Sequence, residues 1–190
     1  IIDVVRGREL LRAGERGAQL RLHEDHPVHY DAWDLESWTV DNGVDLVMDD
    51  ATVAVEAAGP LVGSMAVKVA FGDSTATLRY VLRAGSPRLD VEVDVDWQER
   101  ERLLSLTMPF DVRADSAACG VQFGHVARPT HRSTSWDAAK FEVCAHRFVD
   151  LGEPSFGVAV LNDGRYGHGV VGGDVRVSLA RAARYPDPVA

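Results

Sequence analysis

The feature that most limits what this chain can fold into is the strict alternation from Leu89 to Trp97. Leu89, Val91, Val93, Val95 and Trp97 fall on one face of an extended run, and Asp90, Glu92, Asp94 and Asp96 fall on the other. Successive side chains of a strand point to opposite faces, so the run reads as a strand with one buried and one solvated side. The same period recurs at Val53 and Val55, at Val67, Val69 and Phe71, at Leu78, Tyr80 and Leu82, and at Leu104, Leu106, Met108 and Phe110. It returns at Phe141, Val143 and Ala145, at Phe156, Val158 and Val160, and at Val175, Val177 and Leu179, which makes eight predicted strands. Asp41-Asn42-Gly43, Gly59-Pro60, Phe71-Gly72-Asp73, Gly85-Ser86-Pro87, Asn162-Asp163-Gly164 and Gly172-Gly173 separate these runs with residues suited to chain reversal. Helical periodicity is nearly absent. Three or four buried apolar side chains per strand oppose chain entropy only when a second layer covers them. The expectation is therefore an all-β fold, an antiparallel two-sheet sandwich, formed as a single domain over residues 1–190.

Charge and composition narrow the partners. The chain carries 29 Asp and Glu against 20 Lys and Arg, a net charge of -9 that opposes a phosphate backbone, so nucleic acid is not an expected partner. Its apolar residues, 46% of the total, are interrupted everywhere by charge, and no window approaches the roughly 20 apolar residues of a membrane span. Residues 1–20 lack a signal-peptide pattern, and no membrane partner is expected. Cys119 and Cys144 allow one bridge at most, far from the dense frameworks of small secreted domains. Both read as structural, and a reducing, cytoplasmic location is the expectation. Ile1 stands inside a strand-like stretch and Tyr185-Pro186-Asp187-Pro188 leads to no closing element, so the chain reads as a fragment of a larger multidomain protein.

Two segments depart from the strand template, His23 to Trp38 and Gly124 to Ala139, and they hold most of the unusual chemistry. In the first, His23, His26, His29 and Asp31 suit a metal such as zinc by donor type. Pro27 breaks the stretch into a loop, however, and that spacing does not imply convergence on one ion; a hydrogen-bonded polar loop is the alternative. The second segment mixes His125, Arg128, His131, Arg132, Trp136 and Asp137 with small hydroxyl residues. Guanidinium and carboxylate groups can fork onto vicinal hydroxyls, and an indole can stack on the C–H face of a pyranose, so the mixture suits sugar binding. The same residues equally suit anchoring the loop to a neighbouring domain. No Gly-x-Ser-x-Gly elbow, Walker loop or dinucleotide glycine motif is present.

The run from Gln122 to Phe148, which contains Gly124-His125-Val126-Ala127-Arg128-Pro129-Thr130-His131-Arg132 and Thr134-Ser135-Trp136-Asp137, closely resembles a signature of the family 38 glycoside hydrolases, the α-mannosidases. Leu22-His23-Glu24-Asp25, Tyr30-Asp31-Ala32-Trp33-Asp34, Val149 to Pro154, Gly157 to Asp163 and Tyr185 to Pro188 extend the resemblance in family order. The pattern departs at Ala127, Ser133 and Phe148, where relatives commonly carry an acidic residue, Asn and Trp. The resemblance implies the C-terminal β domain of a retaining α-mannosidase, similar to the galactose-mutarotase-like supersandwich. It implies that the nucleophile, the acid/base carboxylate and a divalent metal, usually zinc, belong to a catalytic α/β barrel outside this chain. On that footing no catalytic residue and no metal ligand is expected here. The expected partners are the protein's own barrel and an α-mannoside or manno-oligosaccharide. The residues expected at the cleft or the barrel interface are Asp31, Trp33, His125, Arg128, His131, Arg132, Trp136 and Asp137. The alternative function is a self-contained carbohydrate-binding module using Trp33 and Trp136.

Overall fold

The structure is a computed structural model describing residues 1–185; residues 186–190, and with them the Pro186–Pro188 part of the last resembling stretch, lie outside the described residues. In chain order the strands are β1 (Ile2–Asp3), β2 (Arg8–Glu9) and β3 (Gln19–Glu24), then helix α1 (Ser37–Asp41) and β4 (Val44–Asp45). They continue as β5 (Thr52–Ala58), β6 (Val62–Phe71), β7 (Ser74–Arg83), β8 (Leu89–Asp96), β9 (Arg102–Pro109), β10 (Ser116–Val121) and β11 (Gly124–Pro129). Helix α2 (Ser135–Ala138) precedes β12 (Val143–Cys144), β13 (Phe148–Glu153), β14 (Phe156–Leu161), β15 (Gly167–Val171) and β16 (Asp174–Arg181). Every strand pair is antiparallel, so the all-β antiparallel architecture expected from the alternation is the one found.

The chain divides into two compact units, Leu46–Arg100 on one hand and Ile1–Asp45 with the chain from Glu101 onward on the other. The smaller unit is the meander β5-β6-β7-β8. Register places Val67, Leu78 and Val93 in one row and Val69, Ala76 and Val95 in the next. Leu78 and Ala76 are buried at the centre of that face, while Glu92, Asp94 and Asp96 are exposed on the reverse, the division that the alternation dictates. Arg79 spans the reverse face, 2.5 Å from Glu56 and 3.2 Å from Glu92. The β6–β7 reversal turns on Gly72 at φ +52, in the left-handed region that glycine occupies without a Cβ penalty.

The larger unit holds a six-stranded sheet, β12-β15-β16-β9-β3-β4, a four-stranded sheet, β11-β10-β13-β14, and the hairpin β1-β2. One face of the six-stranded sheet carries Leu20, Leu104, Leu106, Met108, Val175 and Val177, all buried. The four-stranded sheet buries Ala117, Cys119, Val149 and Leu151 on one face. The reverse of the six-stranded sheet is polar yet partly covered: Arg176 is buried and donates to Glu142 at 2.8 Å, to Ser178 at 3.2 Å and to the Phe141 carbonyl at 3.0 Å. A buried guanidinium is tolerated because its N–H groups are satisfied there.

All eight predicted strands are present, but Phe141–Ala145 shrinks to the two residues of β12, because Glu142 and the Phe141 carbonyl are taken by Arg176. β10 escapes the alternation template because Ala117, Ala118, Cys119 and Gly120 offer little side-chain pattern; pairing with β11 on one side and β13 on the other holds it extended. Gly124–Pro129, expected outside the strand template, is strand β11, whose edge position tolerates its polar residues.

Candidate functional site

The sequence-selected residues fall into two clusters within the larger unit. The first is the loop between β3 and α1. Asp25, buried at 1% exposure, takes a forked pair of hydrogen bonds from Arg181, Nε to Oδ2 at 2.6 Å and Nη2 to Oδ1 at 3.0 Å. The remaining nitrogen of Arg181, Nη1, donates to the carbonyls of Asp31 and Asp34, so the end of β16 holds this loop at three points. Asp31 is buried as well, and its carboxylate accepts the backbone N–H groups of Arg184 at 2.6 Å and Tyr185 at 2.7 Å. Burial pushes the Asp31 carboxyl up, but the two N–H groups and the Arg181 charge outweigh it and hold the group below the usual carboxylate range. Asp31 is therefore a tether for the chain after β16, with both oxygens already engaged. Around it Tyr30, Trp33 and Tyr185 form an exposed aromatic group, with Tyr185 5.1 Å from Tyr30 and 5.0 Å from Trp33 between ring centroids.

The three histidines of this stretch do not converge. His23 is fully buried, with Nδ1 2.9 Å from the Thr39 carbonyl and Nε2 2.8 Å from Ser105 Oγ. A carbonyl only accepts, so Nδ1 carries the proton and Nε2 accepts from the serine hydroxyl, leaving no lone pair for a metal. His26 lies 3.7 Å from Glu24 and 3.6 Å from Glu101, and the His29 ring leans on Tyr30. Among the described residues no three His, Cys, Asp or Glu side chains are grouped to hold an ion.

Burial, helped by the Arg176 and Arg21 cations, pushes the His23 imidazole down from its ordinary 6.5 to about 4, and burial pushes His168 down too. Unfolded chain takes up the His23 proton near pH 6.5, whereas the folded state resists it until about 4. Stability is therefore full above the unfolded pKa and falls as pH drops through this window, by about 3 kcal/mol from His23. Thermal melts across the window should show this slope, and His23→Gln should flatten it.

The second cluster spans β11 to α2. On β11, Arg128 lies opposite the buried Ala117, whereas His125, itself exposed, lies opposite Gly120 on the other face of the sheet, so these two candidates point apart. Arg128 is half-buried, its Nε has no partner among the described residues, and its charge opposes the burial that pushes the Cys119 thiol up. Asp137 closes a capping box: its backbone N–H donates to the Thr134 hydroxyl oxygen at 3.2 Å, while its carboxylate accepts from the Thr134 hydroxyl at 2.7 Å and from the Thr134 backbone N–H at 3.2 Å. The Thr134 hydroxyl, aided by His131 at 3.5 Å, holds Asp137 below the usual carboxylate range. Trp136, on the helix so capped, is 80% exposed, and Arg132 reaches Asp41 at 3.2 Å.

Helix α1 joins the clusters. Thr39 donates toward Asp25 at 3.4 Å, and Asp41 takes Arg132. The two segments that sequence reasoning singled out are thus tied to one short helix, and Trp33, Trp38 and Trp136 stand exposed on these tied segments. Sequence reasoning missed Arg181, which organises the first cluster; it lies 156 residues from Asp25, a separation at which no local motif operates. The glycine at position 43 was legible as turn chemistry, but not its packing against His23.

In both clusters carboxylates serve structure, Asp25 and Asp31 as ties to the end of β16 and Asp137 as a helix cap. Residues 1–189 match the glycosyl hydrolases family 38 C-terminal domain, and the chain belongs to that family. It is 38% identical to human alpha-mannosidase 2C1 over 191 residues and 35% identical to the alpha-mannosidase of Saccharomyces cerevisiae over 196 residues. Those alignments cover 100% and 98% of this chain but 18% of each relative, so the chain spans about a fifth of their length. The crystal structure of an alpha-mannosidase from Enterococcus faecalis V583 shares the fold with a TM-score of 0.78 at 15% identity, covering 95% of this chain and 23% of that one.

Proposed function

We propose that the chain is the non-catalytic C-terminal β domain of a retaining α-mannosidase, that both compact units belong to this one domain, and that it packs on a catalytic α/β barrel and helps wall the sugar cleft. The barrel then holds the divalent metal, zinc, together with the nucleophile and acid/base carboxylates. The observation that carries this reading is the exposure of Trp33, Trp38 and Trp136, at 71%, 49% and 80%, on segments tied to α1. Large aromatic side chains left on a surface mark a face built to be covered by a partner or a ligand. A cytoplasmic setting is supported by Cys119 and Cys144, which stand as free thiols.

The reading is tested by Trp136→Ala in the full-length enzyme. Truncating so exposed a residue costs the isolated fold little, about 0.5 kcal/mol or less, whereas an aromatic anchor at a cleft or interface is worth about tenfold or more. Turnover of an aryl α-mannoside should therefore fall about tenfold with the melting temperature nearly unchanged. A lowered melting temperature with unchanged turnover would support a purely anchoring loop instead.

A further inference from the structure

The four-stranded sheet β11-β10-β13-β14 has an outward face unlike its buried one. Ala117, Cys119, Val149 and Leu151 point inward, so alternation turns Ala118, Gly120, Phe148 and Asp150 outward. Register sets Ala127, Ala118, Asp150 and Ala159 in one row across the sheet. The next row, about 7 Å further along the strands, runs from His125 over Gly120 to Phe148 and Leu161. Phe148 packs on the glycine, where a Cβ would stand 2.9 Å from two carbons of its ring. His125, Ala127, Ala159 and Leu161 are exposed, so this low, largely apolar face is open to solvent.

Two residues here are held in unfavourable states. Phe123, at the tip of the β10–β11 hairpin and at the same end of the sheet as His125, Phe148 and Leu161, is fully exposed and holds φ at +66. A bulky residue is strained in the left-handed region and glycine is not, so neither the backbone nor the exposed ring is served by phenylalanine in the chain alone. Asp150 is half-buried among alanines, and among the described residues no hydrogen bond or ion pair engages its carboxylate. Neither row carries a Lys or Arg.

These facts select the occupant. Covering the face without a cation would desolvate the Asp150 charge with no compensating partner. A second copy of the same face brings no cation, only another Asp150, so self-association is disfavoured. A segment with an Arg or Lys beside an apolar pocket satisfies both residues at once. The chain spans about a fifth of the length of its relatives, and the rest of a polypeptide of that length is long enough to supply such a segment.

We propose that the outward face of β11-β10-β13-β14 is a docking surface for a basic segment of the longer enzyme's own polypeptide, with Phe123 as its aromatic anchor and Asp150 as its ion-pair partner. That the occupant belongs to the same polypeptide rests on the proposed function; its basic and apolar character follows from Asp150 and Phe123 themselves.

The experiment is hydrogen exchange of the Gln122 and Phe123 amides in the full-length enzyme beside the 190-residue chain. Neither N–H donates to another described residue, so slowed exchange reports cover directly. Exchange about tenfold slower or more is expected in the full-length enzyme. Asp150→Arg, which repels a basic segment, and Phe123→Gly, which removes the anchor, should each return the Gln122 amide to within about twofold of its rate in the chain alone. In the chain alone Phe123→Gly should instead raise the melting temperature by about 2 °C through relief of the backbone, which also shows that the variant folds. Equal exchange in the two proteins, or protection that survives Asp150→Arg, would overturn the proposal. Slowing in the chain alone that grows with protein concentration would identify a second copy as the occupant and contradict it as well. Turnover of an aryl α-mannoside by the unmodified full-length enzyme decides the α-mannosidase reading separately: a protein inactive on that substrate yet protected at Gln122 would end that reading and leave the docking surface standing.

Discussion

Arg181→Ala should be among the most damaging single changes in this chain, costing about 3–5 kcal/mol. Asp25 is 1% exposed, and among the described residues its carboxylate is held by Arg181, with the Thr39 hydroxyl at 3.4 Å beside it. Removing the guanidinium leaves the buried Asp25 charge without its partner, and the penalty of that unpaired charge exceeds the modest net worth of the pair itself. The carbonyls of Asp31 and Asp34 lose their donor in the same step. The double variant Asp25→Ala with Arg181→Ala should be clearly more stable than Arg181→Ala alone, because no unpaired charge remains. Thermal melts check both statements; if the double variant is as unstable as the sum of the two singles, lost packing rather than the buried charge is responsible.

Gly43→Ala should cost about 3 kcal/mol or more, although it adds only a methyl group. The new Cβ would stand 2.2 Å from His23 Cε1 and 2.4 Å from Nδ1. That ring cannot step aside, since Thr39 and Ser105 hold its two nitrogens at 2.9 and 2.8 Å. Nor can the backbone yield freely, because Arg21 Nη2 grips the Gly43 carbonyl at 2.7 Å. Either the imidazole leaves and two buried hydrogen bonds are lost, or the start of β4 peels from β3. Gly63→Ala is the control: its Cβ meets nothing within 4 Å, and a melt close to that of the parent is expected. A melt of Gly43→Ala as high as that control would mean the pocket around His23 is looser than described.

These two positions show what was and was not legible from residue order. The strands built on Val, Leu and Ile-like alternation were, because a period of two is a local property that burial of one face imposes. β10 was not, since Ala, Cys and Gly pattern too weakly to declare a face, and its extension comes from neighbours on both sides. In the candidate site, Asp31 and Trp33 were legible as unusual residues, but their roles were not: Asp31 is a tether for Arg184 and Tyr185, and that follows only once the end of β16 lies beside the loop. Asp137, read as a cleft or interface residue, is occupied in capping α2, which leaves Trp136 rather than the carboxylate as the group presented outward.

The central claim is that this chain supplies surface and support while the bond-breaking groups reside elsewhere in a longer enzyme. The direct measurement is hydrolysis of an aryl α-mannoside by the purified 190-residue chain beside the full-length enzyme at equal molar concentration. The expected result is turnover by the full-length enzyme and none by the chain alone. Appreciable turnover by the chain alone would contradict the account.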